Sequence, residues 1–194
     1  MHKFLLDIPT SLQTERLLLR AYQPGDGPWY LAMAQRNLTH LARYETDNPA
    51  RSLVTEDDAE NLVRQLAATW TARDAFFMGA FLTRAREFVA QVYVGVSSWD
   101  LPEFEIGYFA DVDHQGNEYV TEAVKGALGF VFGPLGAHRV RLECDDTNLR
   151  SLRVAERCGF VREGHIRQNH RHADGSVSGT LHFGLLRAER TSAS

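Results

Sequence analysis

The apolar positions of this chain fall into segments of two periods, and their order along the sequence outlines a fold. Residues 16–22 (RLLLRAY) form a short apolar run closed by Pro24, Gly25 and Asp26, which reads as a strand. A short helix is expected over 27–35, and 37–51 holds too many Asn, Thr and Pro to be regular throughout. The run TEDDAENLVRQLAATW from Thr55 opens with an N-cap residue and three acids. It places Ala59, Leu62, Val63, Leu66 and Trp70 on one stripe, which predicts a helix. Residues 75–82 and 87–97 are rich in Phe, Val and Tyr and flank a polar turn, as an antiparallel pair does. In 103–110 (EFEIGYFA), Phe104, Ile106 and Tyr108 alternate with Glu103, Glu105 and Gly107, giving a further strand. Val120, Ala123, Val124, Ala127, Leu128 and Val131 then recur at helical spacing, from near Asn117 to Gly133 and Pro134. A strand over 138–144, a short helix over 148–158 ended by Gly159, and two strands around the turn signal Asp174-Gly175 complete the series.

A strand-helix-strand unit inside a meander requires a mixed sheet with a right-handed crossover. The expected class is α/β (α+β): one domain, with a mostly antiparallel sheet of six to seven strands and helices on both faces. A ligand site belongs where the strand before the crossover ends and the next helix begins. The length, 194 residues, suits a single domain with a core from about 12 to 188. A formal charge of −4 argues against a surface built to neutralise duplex phosphates, so no direct nucleic-acid partner is expected. No run approaches the ~18 apolar residues of a membrane span, and the opening apolar stretch, 4–6, is too short for a signal-peptide core. The expected compartment is the cytoplasm. Cys144 and Cys158 could form at most one bridge and do not make a disulfide framework.

Three segments carry a family resemblance: EIGYF from Glu105, DVDHQGNEYVTEA at the strand-to-helix turn, and RLECDDTNLRSLRVAERCGF. Together with the opening LQTERLLLRAYQPGD and the closing GFVREG, they resemble the GCN5-related N-acetyltransferase (GNAT) superfamily, in particular its RimL-like ribosomal-protein alanine acetyltransferases. The likeness covers nearly the whole chain. It implies the acyl-CoA N-acyltransferase fold, acetyl-CoA as cosubstrate, no metal, and an amine acceptor such as a protein N-terminus, in a monomer or a homodimer. It also implies that Tyr108, Phe109, Ala110 and Asp111 run along the pantetheine arm. The turn Gln115, Gly116, Asn117, Glu118, Tyr119 and Val120 would wrap the pyrophosphate, an anion that suits a helix N-terminus on physical grounds alone. Gln115 matches the family pattern, whereas Glu118 stands where Gly is expected and Val120 where Gly or Ala is expected. Glu118 either turns its charge on the pyrophosphate, points to solvent, or distorts a turn that needs positive φ.

The chemistry also has candidates. An α-amine with a pKa near 8 is about 10% neutral at pH 7 and a lysine about 0.04%, so the need for a base depends on the acceptor. Glu105 is the candidate base, with Glu103 two residues away on the same face. Ser151 matches the family serine near the thioester sulfur, and Asn148 serves as N-cap and pantetheine contact. Arg150, Arg153 and Arg157 share a helix face, from which Arg153 could reach CoA phosphates. Cys144 lies near the same wall by the resemblance but is not needed as a nucleophile, and Cys158 is expected in the core. The spacing of His165, His170 and His172 does not suit a metal site. Phe183 replaces a Tyr frequent in relatives, so a phenol donor is missing there. An alternative to the enzyme is an acyl-CoA-binding module or weakly active relative whose phosphate turn is altered at Glu118.

Overall fold

A computed structural model describes residues 2–190. The chain opens with the hairpin β1 (Ser11–Gln13) and β2 (Leu17–Ala21), followed by α1 (Gly27–Leu41) and α2 (Glu56–Ala72). A meander comes next: β3 (Ala75–Leu82), β4 (Phe88–Ser98) and β5 (Glu103–Ala110). Helix α3 (Tyr119–Phe132) leads to β6 (Arg139–Asp145), and α4 (Leu149–Arg157) to β7 (Val161–Arg171), β8 (Val177–Leu186) and the single turn α5 (Arg187–Arg190). The strands form one sheet in the order β1-β2-β3-β4-β5-β6-β8-β7, antiparallel throughout except for β5 beside β6.

Two expectations need correction. The sheet has eight strands rather than six to seven, because Ser11, Leu12 and Gln13 pair with Arg20, Leu19 and Leu18. Three residues are too few for an alternating pattern to show. Helix α1 continues to Leu41 instead of ending at 35. Asn37, polar and fully buried, is held inside it by donating to the Met33 carbonyl at 2.9 Å.

Two apolar clusters hold the layers together. On one face α3 presses Ala123, Val124, Ala127 and Val131 onto Leu19, Met78, Val92, Phe104 and Ile106. On the other, Tyr30, Met33, Val63 and Leu66 of α1 and α2 meet Tyr22, Phe88 and Phe109. Phe104 and Ile106 against Phe109 show the strand's period of two putting β5 side chains on both faces. Each such side chain contributes roughly 1.5–3 kcal/mol when buried. Helix α2 is set by a capping box: Asp58 N–H donates to Thr55 Oγ1 at 3.1 Å and Thr55 N–H to Asp58 Oδ2 at 2.9 Å.

Candidate active site

The site begins as a gap in the sheet. Strands β5 and β6 pair only at Glu103↔Arg139, Phe104↔Val140 and Glu105↔Arg141. Beyond that point β5 stays with β4 as far as Ala110↔Ala90, while β6 stays with β8 as far as Asp145↔Thr180. The two strands therefore diverge into a slot. Asp111 N–H donates to Val89 O on the β4 side at 2.9 Å. Strand alternation then turns the main-chain groups of Tyr108 and Ala110 toward the slot, where no strand meets them.

Across the slot stands the first turn of α4. Its N-cap Asn148 accepts the Ser151 N–H on Oδ1 at 3.1 Å, which fixes Ser151 facing β5. The Tyr108 hydroxyl lies 3.1 Å from Ser151 Oγ and donates to the Ser151 carbonyl at 3.0 Å. Burial pushes the Tyr108 phenol well above its ordinary pKa, so it keeps its proton at neutral pH. Burial likewise pushes the Cys144 thiol up to about 11, against the pull of Ser151, so it is a poor nucleophile. Cys158 is partly buried against the core, and its thiol is also pushed up to about 11.

At the outer end of β5 the chain turns into α3. Asp111 is completely buried and acts as a strut. Its carboxylate accepts from Arg36 at 2.6 and 3.2 Å, Asn37 Nδ2 at 2.9 Å and Asp113 N–H at 3.1 Å. Burial alone would raise its pKa, but the bonds from Arg36, Asn37, Asp113 and His114 outweigh this and hold it below the ordinary range. Its own N–H serves Val89 and its carbonyl accepts from His114 N–H, so neither main-chain group of Asp111 is open to a ligand.

The following turn contains two left-handed residues, Gly116 (φ 82°) and Glu118 (φ 63°). Glu118 is the N-cap of α3 and does not cap it with its side chain, so the N–H groups of Tyr119, Val120 and Thr121 lack intrahelical acceptors. The Glu118 carboxylate, about half exposed, accepts from Arg157 of α4 at 2.6 Å. It therefore neither points freely to solvent nor sits in the first turn, as a reading of the helix pattern alone would place it. The start of the chain braces this region. Arg16 Nε and Thr14 Oγ1 both hold Glu122 at 2.6 Å, and Arg16 donates to the Asn117 carbonyl at 3.3 Å. Gln115 lies between the His40 ring, at 3.2 Å, and the Arg150 guanidinium, to which it is hydrogen-bonded. His40 also bonds the Ala110 carbonyl, and burial and Arg150 lower its pKa. Arg153 is exposed and makes no ion pair among the described residues.

On the α1–α2 face of the slot, Glu105 is held by Arg141 at 2.6 Å, and Glu103 by Arg139 at 3.2 Å. The α1–α2 connection closes the outer end. Tyr44 Oη lies 3.2 Å from Thr147 Oγ1, and its ring meets His172 edge-on. Beside it Glu45 is half-buried, and this burial pushes its carboxyl up to about 7. The histidines are otherwise engaged: His165 with Asp146 at 2.8 Å, His172 with Ser178 at 2.8 Å, and His170 against the His172 ring. No metal-holding group of three or more such side chains occurs among the described residues. His40, Tyr44 and Glu45 were missed from sequence because they lie in or beside the irregular stretch 37–51. Phe183 is a core residue here, and the phenol that stands at the slot is that of Tyr108.

Comparison with known proteins identifies the family and the fold. The acetyltransferase (GNAT) domain model matches residues 16–161. The probable N-acetyltransferase YjcK of Bacillus subtilis is 42% identical over 64 residues, 33% of this chain and 35% of that relative. The uncharacterized N-acetyltransferase YnaD of the same organism is 23% identical over 157 residues, 81% of this chain and 86% of its own. Among solved structures, RimL, ribosomal L7/L12 α-N-protein acetyltransferase, in complex with coenzyme A as a CoA–cysteine disulfide, superposes with a TM-score of 0.79. It is 17% identical, over 92% of this chain and 97% of that one. With three quarters of its length matched by the domain model, the chain belongs to the GNAT family of acetyltransferases.

Proposed function

We propose that this protein transfers the acetyl group of acetyl-CoA to a primary amine by direct attack, the acceptor being a protein N-terminal α-amine, as for RimL, or a small-molecule amine. The observation that carries this reading is the main-chain edge left without a partner strand at Tyr108 and at the Ala110 N–H, which leads from the Tyr108–Ser151 hydroxyl pair to the uncapped start of α3. A pantetheine amide fits such an edge as a strand would, and Tyr108, Phe109 and Ala110 would run beside it. Asp111 would contribute by bracing the turn. Gln115, Gly116, Asn117, Glu118, Tyr119 and Val120 would surround the pyrophosphate, with Asn148 and Arg153 on the α4 side.

The thioester supplies an activated acyl carbon, and the chain's own groups hold the amine beside it and manage protons. Ser151, held in place by the protonated Tyr108, would donate a hydrogen bond to the sulfur as charge develops there. Glu105, paired with Arg141, presents a carboxylate on the acceptor face that would hold an ammonium or relay its proton through water. The test is single-turnover acetylation, read as thiol release, with N-terminal peptides, polyamines and aminoglycosides as acceptors. Transfer to at least one class is expected, and none would defeat the proposal. The Glu118–Arg157 pair favours a second reading, an acyl-CoA-binding module; acetyl-CoA binding with no turnover would select it.

A further inference from the structure

On the α1–α2 face of the sheet, one row of residues crosses four strands. Gly95 of β4 stands opposite Glu105 of β5, Glu105 opposite Arg141 of β6, and Arg141 opposite Gly184 of β8. Tyr93, two residues before Gly95, shares this face. A Cβ built on Gly95 would run into the Tyr93 hydroxyl and come within 2.7 Å of its Cζ, so the phenol lies along β4 and over Gly95, beside Glu105. Phe77 holds the ring, with centroids 4.8 Å apart. Tyr93 itself is paired with Gly107, the residue before the strand edge opens at Tyr108. Two oxygens here are unused. Arg141 engages Glu105 Oε2 at 2.6 Å, and Oε1 has no partner among the described residues. The hydroxyl of Tyr93, a half-buried residue, has none among them either, whereas Tyr22 and Tyr30 share Gln91 Oε1 at 2.7 and 3.3 Å, Tyr44 meets Thr147, and Tyr108 meets Ser151.

We infer that Tyr93 seats the acceptor as its primary ammonium, a role that rests on the acetyltransferase reading above. An alkylammonium carries three N–H donors and one positive charge. Between β4 and β5 it meets Glu105 Oε1 from one side and Tyr93 Oη from the other, each taking one N–H, while the aromatic ring favours the charge beside it. The carboxylate neutralises the cation, and the phenol oxygen fixes where the nitrogen sits. Because Tyr93 is the cross-strand partner of Gly107, the seat lies one residue from the edge where the thioester would be held. Two glycines serve it. Gly95 lets the phenol down onto the sheet, and Gly107 puts no side chain between the seat and the slot; a Cβ there would lie 3.5 Å from Tyr93 Cδ1. Packing alone does not account for the hydroxyl. Phenylalanine would fill the same space beside Phe77, and the fold bonds the oxygen to nothing among the described residues.

The test measures steady-state acetylation of an amine that wild-type protein accepts from the panel of N-terminal peptides, polyamines and aminoglycosides. It compares wild type with Tyr93→Phe, Gly95→Ala, Tyr93→Ala and the double variant of the last two, beside calorimetry with acetyl-CoA and thermal unfolding. For Tyr93→Phe we expect the acceptor KM to rise about 10- to 100-fold, as for loss of a hydrogen bond to a charged group, with kcat and acetyl-CoA Kd within about threefold. Its Tm should not fall, because the hydroxyl bonds nothing in the fold. Gly95→Ala should raise the acceptor KM by displacing the phenol, and should add nothing in the Tyr93→Ala background. An acceptor KM within threefold of wild type in Tyr93→Phe overturns the inference, as does an equal weakening of acetyl-CoA and acceptor. Should Gly95→Ala not fold, Tyr93→Phe decides alone. Wild-type protein that binds acetyl-CoA and acetylates no amine would overturn the transferase reading and this role with it. A working enzyme indifferent to Tyr93→Phe would remove Tyr93 alone.

Discussion

Replacing Glu118 by glycine should leave the fold at least as stable and tighten acetyl-CoA binding. On the stability side, Glu118 sits at φ 63°, a conformation that costs a residue with a side chain about 1–2 kcal/mol and glycine little. The substitution also removes the Arg157 ion pair, which with side chains 52% and 56% exposed is worth about 0–1 kcal/mol. The two changes oppose each other and leave a net gain of about 0–2 kcal/mol. On the binding side, a carboxylate 5 Å from a phosphate charge would cost about 0.8 kcal/mol in water and about 3 kcal/mol at an effective dielectric of 20. The exposure of Glu118 puts the true cost near the lower figure, so about a three- to tenfold drop in Kd is expected, with Arg157 released to approach the phosphates. Calorimetry at low and high salt, with Glu118→Ala beside Glu118→Gly, separates charge from backbone. Both variants should bind tighter at low salt, with the advantage shrinking at high salt. Equal affinities for wild type and both variants would refute the placing of phosphates at this turn.

Ser151→Ala should lower single-turnover acetylation by about 10- to 1000-fold while sparing acetyl-CoA affinity; an unchanged rate would remove its hydroxyl from the mechanism. Asn148→Ala, which uncaps α4, should instead cost about 1 kcal/mol in thermal unfolding. Asp111→Asn should cost about 3 kcal/mol, at the low end for a broken buried pair because Arg36 still reaches Asp113 at 3.3 Å. That loss corresponds to roughly 6–12 °C in Tm. Because its pKa is depressed in the fold, the stabilisation from Asp111 is present above its unfolded value of about 3.9 and lost as pH falls through the folded one. Glu45 has the opposite sign: raised to about 7, it stabilises fully below about 4.5 and loses this as pH rises through 7, so Glu45→Gln should flatten wild-type stability between pH 5 and 8.

Periodicity made the meander, α2 and α3 legible, because each buries one face over several turns or alternations. Glu118 was legible as an oddity, and the left-handed backbone it occupies is what a glycine would otherwise supply. The partners of the catalytic candidates were not legible. Arg141 reaches Glu105 only because β6 lies parallel to β5 in one register, which neither strand's pattern specifies. Tyr108 reads as an alternating core residue, and its meeting with Ser151 depends on where the two strands part. His40 and Glu45 are placed by the end of α1 and its following loop, whose polar composition conceals that Tyr44 ties it to two distant elements.

The parting of β5 and β6 also changes what the middle of the sheet is like. In most domains the central strands hold the amides that exchange with solvent deuterium only when the whole molecule unfolds. Here the Tyr108 and Ala110 amides lie in a central strand and face no strand acceptor, while those of Phe109 and Asp111 point into the ladder with β4. A residue-by-residue exchange map should therefore alternate along one strand, fast and slow, with no loss of fold. A ligand lying in the slot would then register first as slow exchange at those two amides, a signature independent of turnover.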